Sequence, residues 1–192
     1  MPEKKPPVVR LYEEAKEIIQ TLKETNVSLA LTAADRFRKD LLLAIASHFE
    51  HRMCDCVLEY IKERASGSVL VENFVQNKAI TRQYHTWFNW ESKNANQFFG
   101  LFGAEFKDTM KNRLAESDDL NSAVRAFLEV GNERNRLVHQ DYATFSMDKT
   151  LEEIYDLYLK ALRFIEYLPQ ALRECDDYLD RQMLSTQTIV NS

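Results

Sequence analysis

The sequence predicts an all-α fold, an antiparallel bundle of about five main helices, and three observations predict it. Breakers are scarce: 192 residues hold four glycines and four prolines, and three of the prolines fall within the first seven positions. So few leave little room for the many turns of an all-β fold. Apolar residues recur at three- and four-residue spacing through several long stretches. The intervals between those stretches are short, as antiparallel neighbours require. The length suits one domain with a substantial core. We place its boundaries at 1–182 and read 183–192, ending in the polar run STQTIVNS, as a flexible C-terminal tail.

The helices follow in order. Pro6 and Pro7 open the first, because a proline in the first turn forfeits no hydrogen bond. Val8, Leu11, Tyr12, Ala15, Ile18, Ile19 and Leu22 form its seam as far as Thr25. After a weak break at Thr25–Ser28, a long second helix carries Leu42, Ile45, Ala46, Phe49, Met53, Cys56, Val57 and Tyr60 on one face and stops near Ser66-Gly67-Ser68. Between Val69 and Trp90 the pattern blurs into short, aromatic-rich helices. The stretch from Glu91 to Leu114 gives another helix, with a bend at Gly100 or Gly103. Ser117-Asp118-Asp119 caps the next, which runs to His139. A loop from Gln140 to Asp148 precedes a helix from Thr150 to Leu168, with Leu151, Ile154, Tyr155, Tyr158, Leu162, Ile165 and Leu168 as its seam. Pro169 starts or bends a last segment carrying Leu172 and Leu179.

Composition narrows function. Hydrophobic residues make up 45% and charged residues 29%, with a net charge of −5 from 25 Lys+Arg against 30 Asp+Glu. A broad basic surface for nucleic acid is therefore excluded, and any RNA contact must be local or shared with a partner. No run reaches about 18 apolar residues, and MPEKKPP does not resemble a signal peptide. Three cysteines suit a reducing compartment. The expectation is a cytoplasmic protein without membrane association. Phosphate-binding glycine loops, the dinucleotide fingerprint and the nucleophile elbow are all missing.

Most candidate sites read first as structure. Cys54 and Cys56 stand about 200° apart on a helix and cannot chelate one metal as a pair, so we expect no metal site and no cofactor. Cys56 falls on the core side and Cys54 on the exposed side. His48 and His51 lack the partners of a metal-binding helix and read as surface residues. His85, with Trp87 and Trp90, could form a base-stacking surface, although such clusters in helical proteins are more often core.

The helix over Leu120–His139 carries the one concentrated anomaly. Leu120, Ala123, Val124, Phe127, Gly131 and Val138 make its core stripe, and Arg134 and Asn135 fall inside it, with His139 at the edge. Arg136 points the other way, with Glu129 and Glu133. A core-facing arginine is costly unless paired. Two readings stand side by side. In one, Arg134 pairs with Glu50 or another acid in a structural network; Arg38 and Glu50, on the second helix, are the candidates to meet these groups. In the other, the set performs phosphodiester cleavage in RNA. An imidazole moves the proton of the 2′-hydroxyl or the leaving oxygen, a guanidinium steadies charge on the phosphate, and an asparagine orients either.

Arg134-Asn135-Arg136-Leu137-Val138-His139 resembles the R-x4-6-H motif of the HEPN superfamily, including the polar residue straight after the arginine. A long helix like RFRKDLLLAIASHFEHRMCDCVLEYI, the NANQFFGLFGAEF region, the motif helix and a closing helix complete the likeness over Ala30 to Leu168. Within the superfamily it is most similar to the RiboL-PSP-type and MAE-type domains. The resemblance implies a single HEPN-like domain that homodimerises with both motifs in one cleft. It further implies a metal-independent endoribonuclease that leaves a 2′,3′-cyclic phosphate and acts as a toxin or antiphage defence effector. RNA is the implied substrate, and a cognate antitoxin or defence-system protein an implied partner. Arg134 and His139 carry over as catalytic residues, Asn135 and Glu50 as supporting ones. The alternative it allows is a non-catalytic HEPN-type module that binds RNA or a protein partner. Gln140 stands where a glycine often follows the motif histidine, so the turn out of the helix is expected to differ.

Overall fold

The computed structural model describes the backbone of residues 5–190 and the side chains of residues 5–182. Eight α-helices account for nearly all regular structure, and no strand occurs among the described residues. Five are the long ones the periodicity predicts: α1 (Pro7–Thr25), α2 (Val27–Arg64), α6 (Ala104–Glu116), α7 (Asp118–His139) and α8 (Leu151–Val190). Two short ones, α3 (Val69–Val75) and α4 (Tyr84–Trp87), fill the blurred region with a π-helical turn over Gln76–Ile80, and the one helix expected over Glu91–Leu114 is instead two, α5 (Asn96–Gly100) and α6, separated by a break ending at Gly103.

Local chemistry sets the boundaries. Asn26 ends α1 and caps α2, its side-chain oxygen accepting from the Leu29 amide at 3.0 Å. Ser117 accepts from the Leu120 amide at 3.2 Å and starts α7, with Asp118 and Asp119 in the first turn facing the positive end of the helix dipole. Thr150 and Glu153 form a reciprocal box at the start of α8: the Thr150 amide donates to Glu153 Oε2 at 2.7 Å and the Glu153 amide to Thr150 Oγ1 at 3.1 Å. Gly103, at φ 101°, makes the break between α5 and α6.

The core lies where α2, α7 and α8 meet, with α1 against α2 and α6 against α7 and α8. Phe49, Phe127, Tyr158 and Phe164 form its aromatic centre, with Phe49 stacked on Tyr158 at 5.7 Å and Phe127 edge-on to Phe164 at 5.3 Å. Each such ring buried contributes roughly 1.5–3 kcal/mol.

Several expectations change. Pro169 does not start a separate segment: α8 continues through it, and Leu168, Ala171 and Leu172 on either side are buried. The helix tolerates the lost backbone bond because its packed face holds it on both sides. The helix also runs on over 183–190. The expected flexible tail thus falls on residues whose side chains, and at 191–192 whose backbone, lie outside the described residues. Ile18 faces solvent rather than the seam of α1. Cys54 is half-buried rather than exposed, and His48 is half-buried near the Tyr158 ring rather than on the surface. Burial, with Arg52 and His51 nearby, lowers the pKa of His48. Burial also raises the Cys54 thiol to about 11 and the Cys56 thiol to about 12. Among the described residues no helix is long and apolar enough to cross a membrane.

Candidate active site

The stripe on α7 is covered along its first half and uncovered at its end. Ala123, Val124, Phe127, Leu128 and Val130 are buried. Beyond Gly131 the cover stops. Arg134 and Asn135 are half-exposed, and Val138, placed by its spacing in the core, is 44% exposed. Leu137, one residue earlier, takes the buried position instead. The cost of a core-facing arginine is thereby avoided, because Arg134 faces an open cavity.

That cavity has a volume of about 370 Å³. Arg134, Asn135 and His139 line it from α7, with Phe127, Val130 and Gly131 at its floor. Ala46, Phe49 and Glu50 line it from α2. A third wall comes from the segment around α4: Arg82, Tyr84, His85 and Trp90. The structure thus brings all four sequence-predicted residues, Arg134, Asn135, His139 and Glu50, to one concavity.

The structural-network reading fares poorly at Arg134. Its guanidinium donates to Asn135 Oδ1 at 3.2 Å and makes no ion pair with Glu50 or any other acid among the described residues. It stays available to an anion from outside. Arg136 is spent elsewhere, paired with Glu133 at 2.8 Å and lying over the Phe145 ring. Arg38 does not reach the motif. It pairs with Asp35 and donates to the Met147 and Lys149 carbonyls, pinning the loop after α7. Lys39, only 3% exposed, pairs with Asp35 at 2.9 Å and donates to the Tyr142 carbonyl at 3.2 Å, holding the same loop. These α2 residues anchor the loop that follows α7. Gln140 leaves the helix at φ −100° and ψ 167°, extended backbone that any residue adopts, so no glycine is needed after His139.

Sequence reasoning missed most of the third wall. Trp90 lies directly against Gly131, and a Cβ there would overlap ring atoms Cε3 and Cζ3. The glycine is what lets the indole close onto α7. The Trp90 Nε1 donates to the His85 carbonyl at 3.1 Å, folding the segment back on itself. Trp87 and Phe88 are buried as the core reading of this cluster expects, whereas Trp90 is a half-buried cavity wall and His85 an exposed rim residue. Arg82 holds φ 61°, a left-handed conformation uncommon for a residue with a Cβ. Burial, Glu50 and Cys54 together raise the Tyr84 phenol well above its usual pKa, with Arg134 opposing, so it keeps its proton. The one available signal was the density of aromatic and basic residues between Arg82 and Trp90.

Chemically, the cavity offers two guanidiniums, two imidazoles, a neutral phenol, an amide and one carboxylate around an aromatic interior. That inventory suits an anionic ester with a planar group attached. Among the described residues no group of three His, Cys, Asp or Glu side chains is placed to hold a metal ion. Compared with known proteins, the chain matches the family model described as RiboL-PSP-HEPN over residues 9–174. No curated protein and no solved structure matches it.

Proposed function

The chain belongs to the RiboL-PSP-HEPN family, and on that premise we propose that it is a metal-independent endoribonuclease. It cuts cellular RNA in the cytoplasm as a toxin or antiphage defence effector. The observation that carries this reading is the convergence of Arg134, Asn135 and His139 on one open cavity, with the guanidinium unpaired by any acid among the described residues. His139 moves a proton at the reacting oxygens, and Arg134 stabilises charge on the phosphate. Asn135 steadies the Arg134 head through the hydrogen bond it accepts. Glu50, at the opposite wall, positions the motif groups. The charge and proton transfers that cleavage needs are all supplied by side chains.

The working unit in this proposal is a homodimer with the two motifs facing each other. The uncovered last turn of α7, with Val138 and His139 exposed, supports it. A two-fold axis there would cover an apolar residue and gather the positive charge that the acidic monomer lacks overall. A cognate antitoxin or defence-system protein would hold such an enzyme in check.

Expression in a bacterial host and incubation of purified protein with RNA test the proposal. Growth arrest or RNA cleavage that survives chelator, and is lost in both Arg134→Ala and His139→Ala, is the expected result. A folded, dimeric wild type that cuts no RNA under any condition sinks it. A second reading, a non-catalytic HEPN-type module that binds RNA or a partner protein, is favoured by the net charge of −5. It predicts binding without cleavage.

A further inference from the structure

The turn after the π-helical segment and the α4 helix that follows bring Arg82, Tyr84 and His85 to the same cavity as Arg134 and His139. None of the three was part of the motif. His85 has no side-chain hydrogen bond, ion pair or ring contact among the described residues, so no structural task occupies its imidazole. Its position is nonetheless held. The Trp90 indole donates to its carbonyl, the Thr86 hydroxyl donates to the Gln83 carbonyl at 2.7 Å, and the Gln97 amide donates to the Thr86 carbonyl at 2.7 Å. A fixed backbone thus presents a free imidazole at the rim of a cavity that already contains another.

We infer that His85 is the second proton-transfer group of this site, working with His139 of the same subunit. The inference rests on the ribonuclease reading. In cleavage at a 2′-hydroxyl, the 2′-oxygen forms a bond to phosphorus as the bond from phosphorus to the 5′-oxygen breaks. One proton leaves the 2′-oxygen and another arrives at the 5′-oxygen. A neutral imidazole takes the first and an imidazolium gives the second, so the pair ends with its protonation states exchanged. The products are a 2′,3′-cyclic phosphate and a 5′-hydroxyl, and no further reactant is consumed. Imidazole suits both roles because its ordinary pKa lies near neutrality.

The groups that face this pair are Glu50 from α2, Arg82 from the turn, Tyr84 from α4, and Arg134 from α7. The cavity therefore carries both signs of charge, to which the protonated Tyr84 adds none. Pairing within a subunit leaves the dimer the task of aligning RNA rather than completing the proton relay.

The test is kcat/KM against pH on a single-stranded RNA, for the full-length wild type, His85→Ala and His139→Ala. The wild type should give a bell-shaped profile. His85→Ala should lose activity on the order of 10²–10⁴-fold and keep only one limb of the bell, with RNA affinity nearly unchanged. A nucleoside 3′-phosphate carrying a nitrophenyl leaving group needs no acid. It should restore turnover in one of the two variants and not in the other. Mixed dimers of wild type with a His139→Ala twin should keep the activity of one intact site.

His85→Ala that keeps both limbs and stays within a few-fold of wild type overturns the inference while leaving the ribonuclease reading intact. Mixed dimers that are dead overturn it too, because the second imidazole is then the twin's. A change in KM alone assigns His85 to binding and overturns its proton-transfer role. A wild type that cuts no RNA removes both this inference and the reading beneath it.

Discussion

The two halves of α7 carry one continuous apolar stripe and meet opposite fates. From Ala123 to Val130 the stripe is sealed by α2, α6 and α8. From Gly131 to His139 it faces a cavity walled by a short, irregular segment. Spacing is the same in both halves; cover is not. Where cover is complete, side chains contribute through burial. Where it stops, the same helix face becomes a surface on which polar groups can act on something from outside. This contrast yields predictions that differ in kind between the halves.

The largest expected effect lies in the open half. Arg134→Ala and His139→Ala should each lower RNA cleavage by on the order of 10³-fold, about 4 kcal/mol of transition-state stabilisation. Their thermal midpoints should stay close to wild type. A large loss of stability in either variant would place the residue in the fold rather than the chemistry. Phe127→Ala, in the sealed half, should do the reverse. It should cost ~3–5 kcal/mol in denaturant unfolding, because the ring is fully buried against Phe49, Phe88 and Phe164.

Gly131→Ala probes the boundary between the halves. Helix propensity alone would favour alanine by about 1 kcal/mol, yet the added Cβ meets the Trp90 ring. Overpacking costs roughly 1–3 kcal/mol, so the clash wins unless the half-buried indole swings out. Trp90 is displaced in either case, and tryptophan emission should shift to the red while buried Trp87 stays shielded. Unchanged emission would mean that Trp90 does not sit on α7. Ser117→Ala, at the far end of the helix, should cost only ~1 kcal/mol through the lost cap, with cleavage unaffected.

The smallest expected effect is a pH dependence. The folded phenol of Tyr84 titrates well above an ordinary one. Its contribution is therefore constant below the unfolded value of about 10. Stability falls as pH rises beyond that, since the unfolded chain releases a proton that the folded chain retains. Tyr84→Phe should flatten this decline in unfolding midpoints measured across alkaline pH. An identical slope in the variant would assign the decline to other groups.

Much of the molecule was legible in advance. Leu42, Ile45, Phe49, Met53, Cys56 and Val57 announced the buried face of α2, because helical spacing is a local property that the chain carries in its order. Asn26, Ser117 and Thr150 end or begin helices through bonds to residues three positions on, equally local. Arg134, Asn135 and His139 stood out for the same reason, as polar groups breaking an apolar period. The burial of Leu137 in place of Val138, the diversion of Arg38 to the loop after α7 and the passage of α8 through Pro169 were not legible. Each depends on which distant element happens to cover that position.

What the sequence by itself determined is therefore the set of helices, their apolar faces and the motif that interrupts one of them. Only the tertiary structure decided that the interruption falls where cover ends. It alone also decided that Glu50, Arg82, Tyr84, His85 and Trp90 complete the enclosure. The reason is physical. Helix period and caps arise from neighbours within four residues, whereas a cavity is the space left when segments separated by dozens of residues pack imperfectly. No spacing rule along one segment encodes the shape of that remainder.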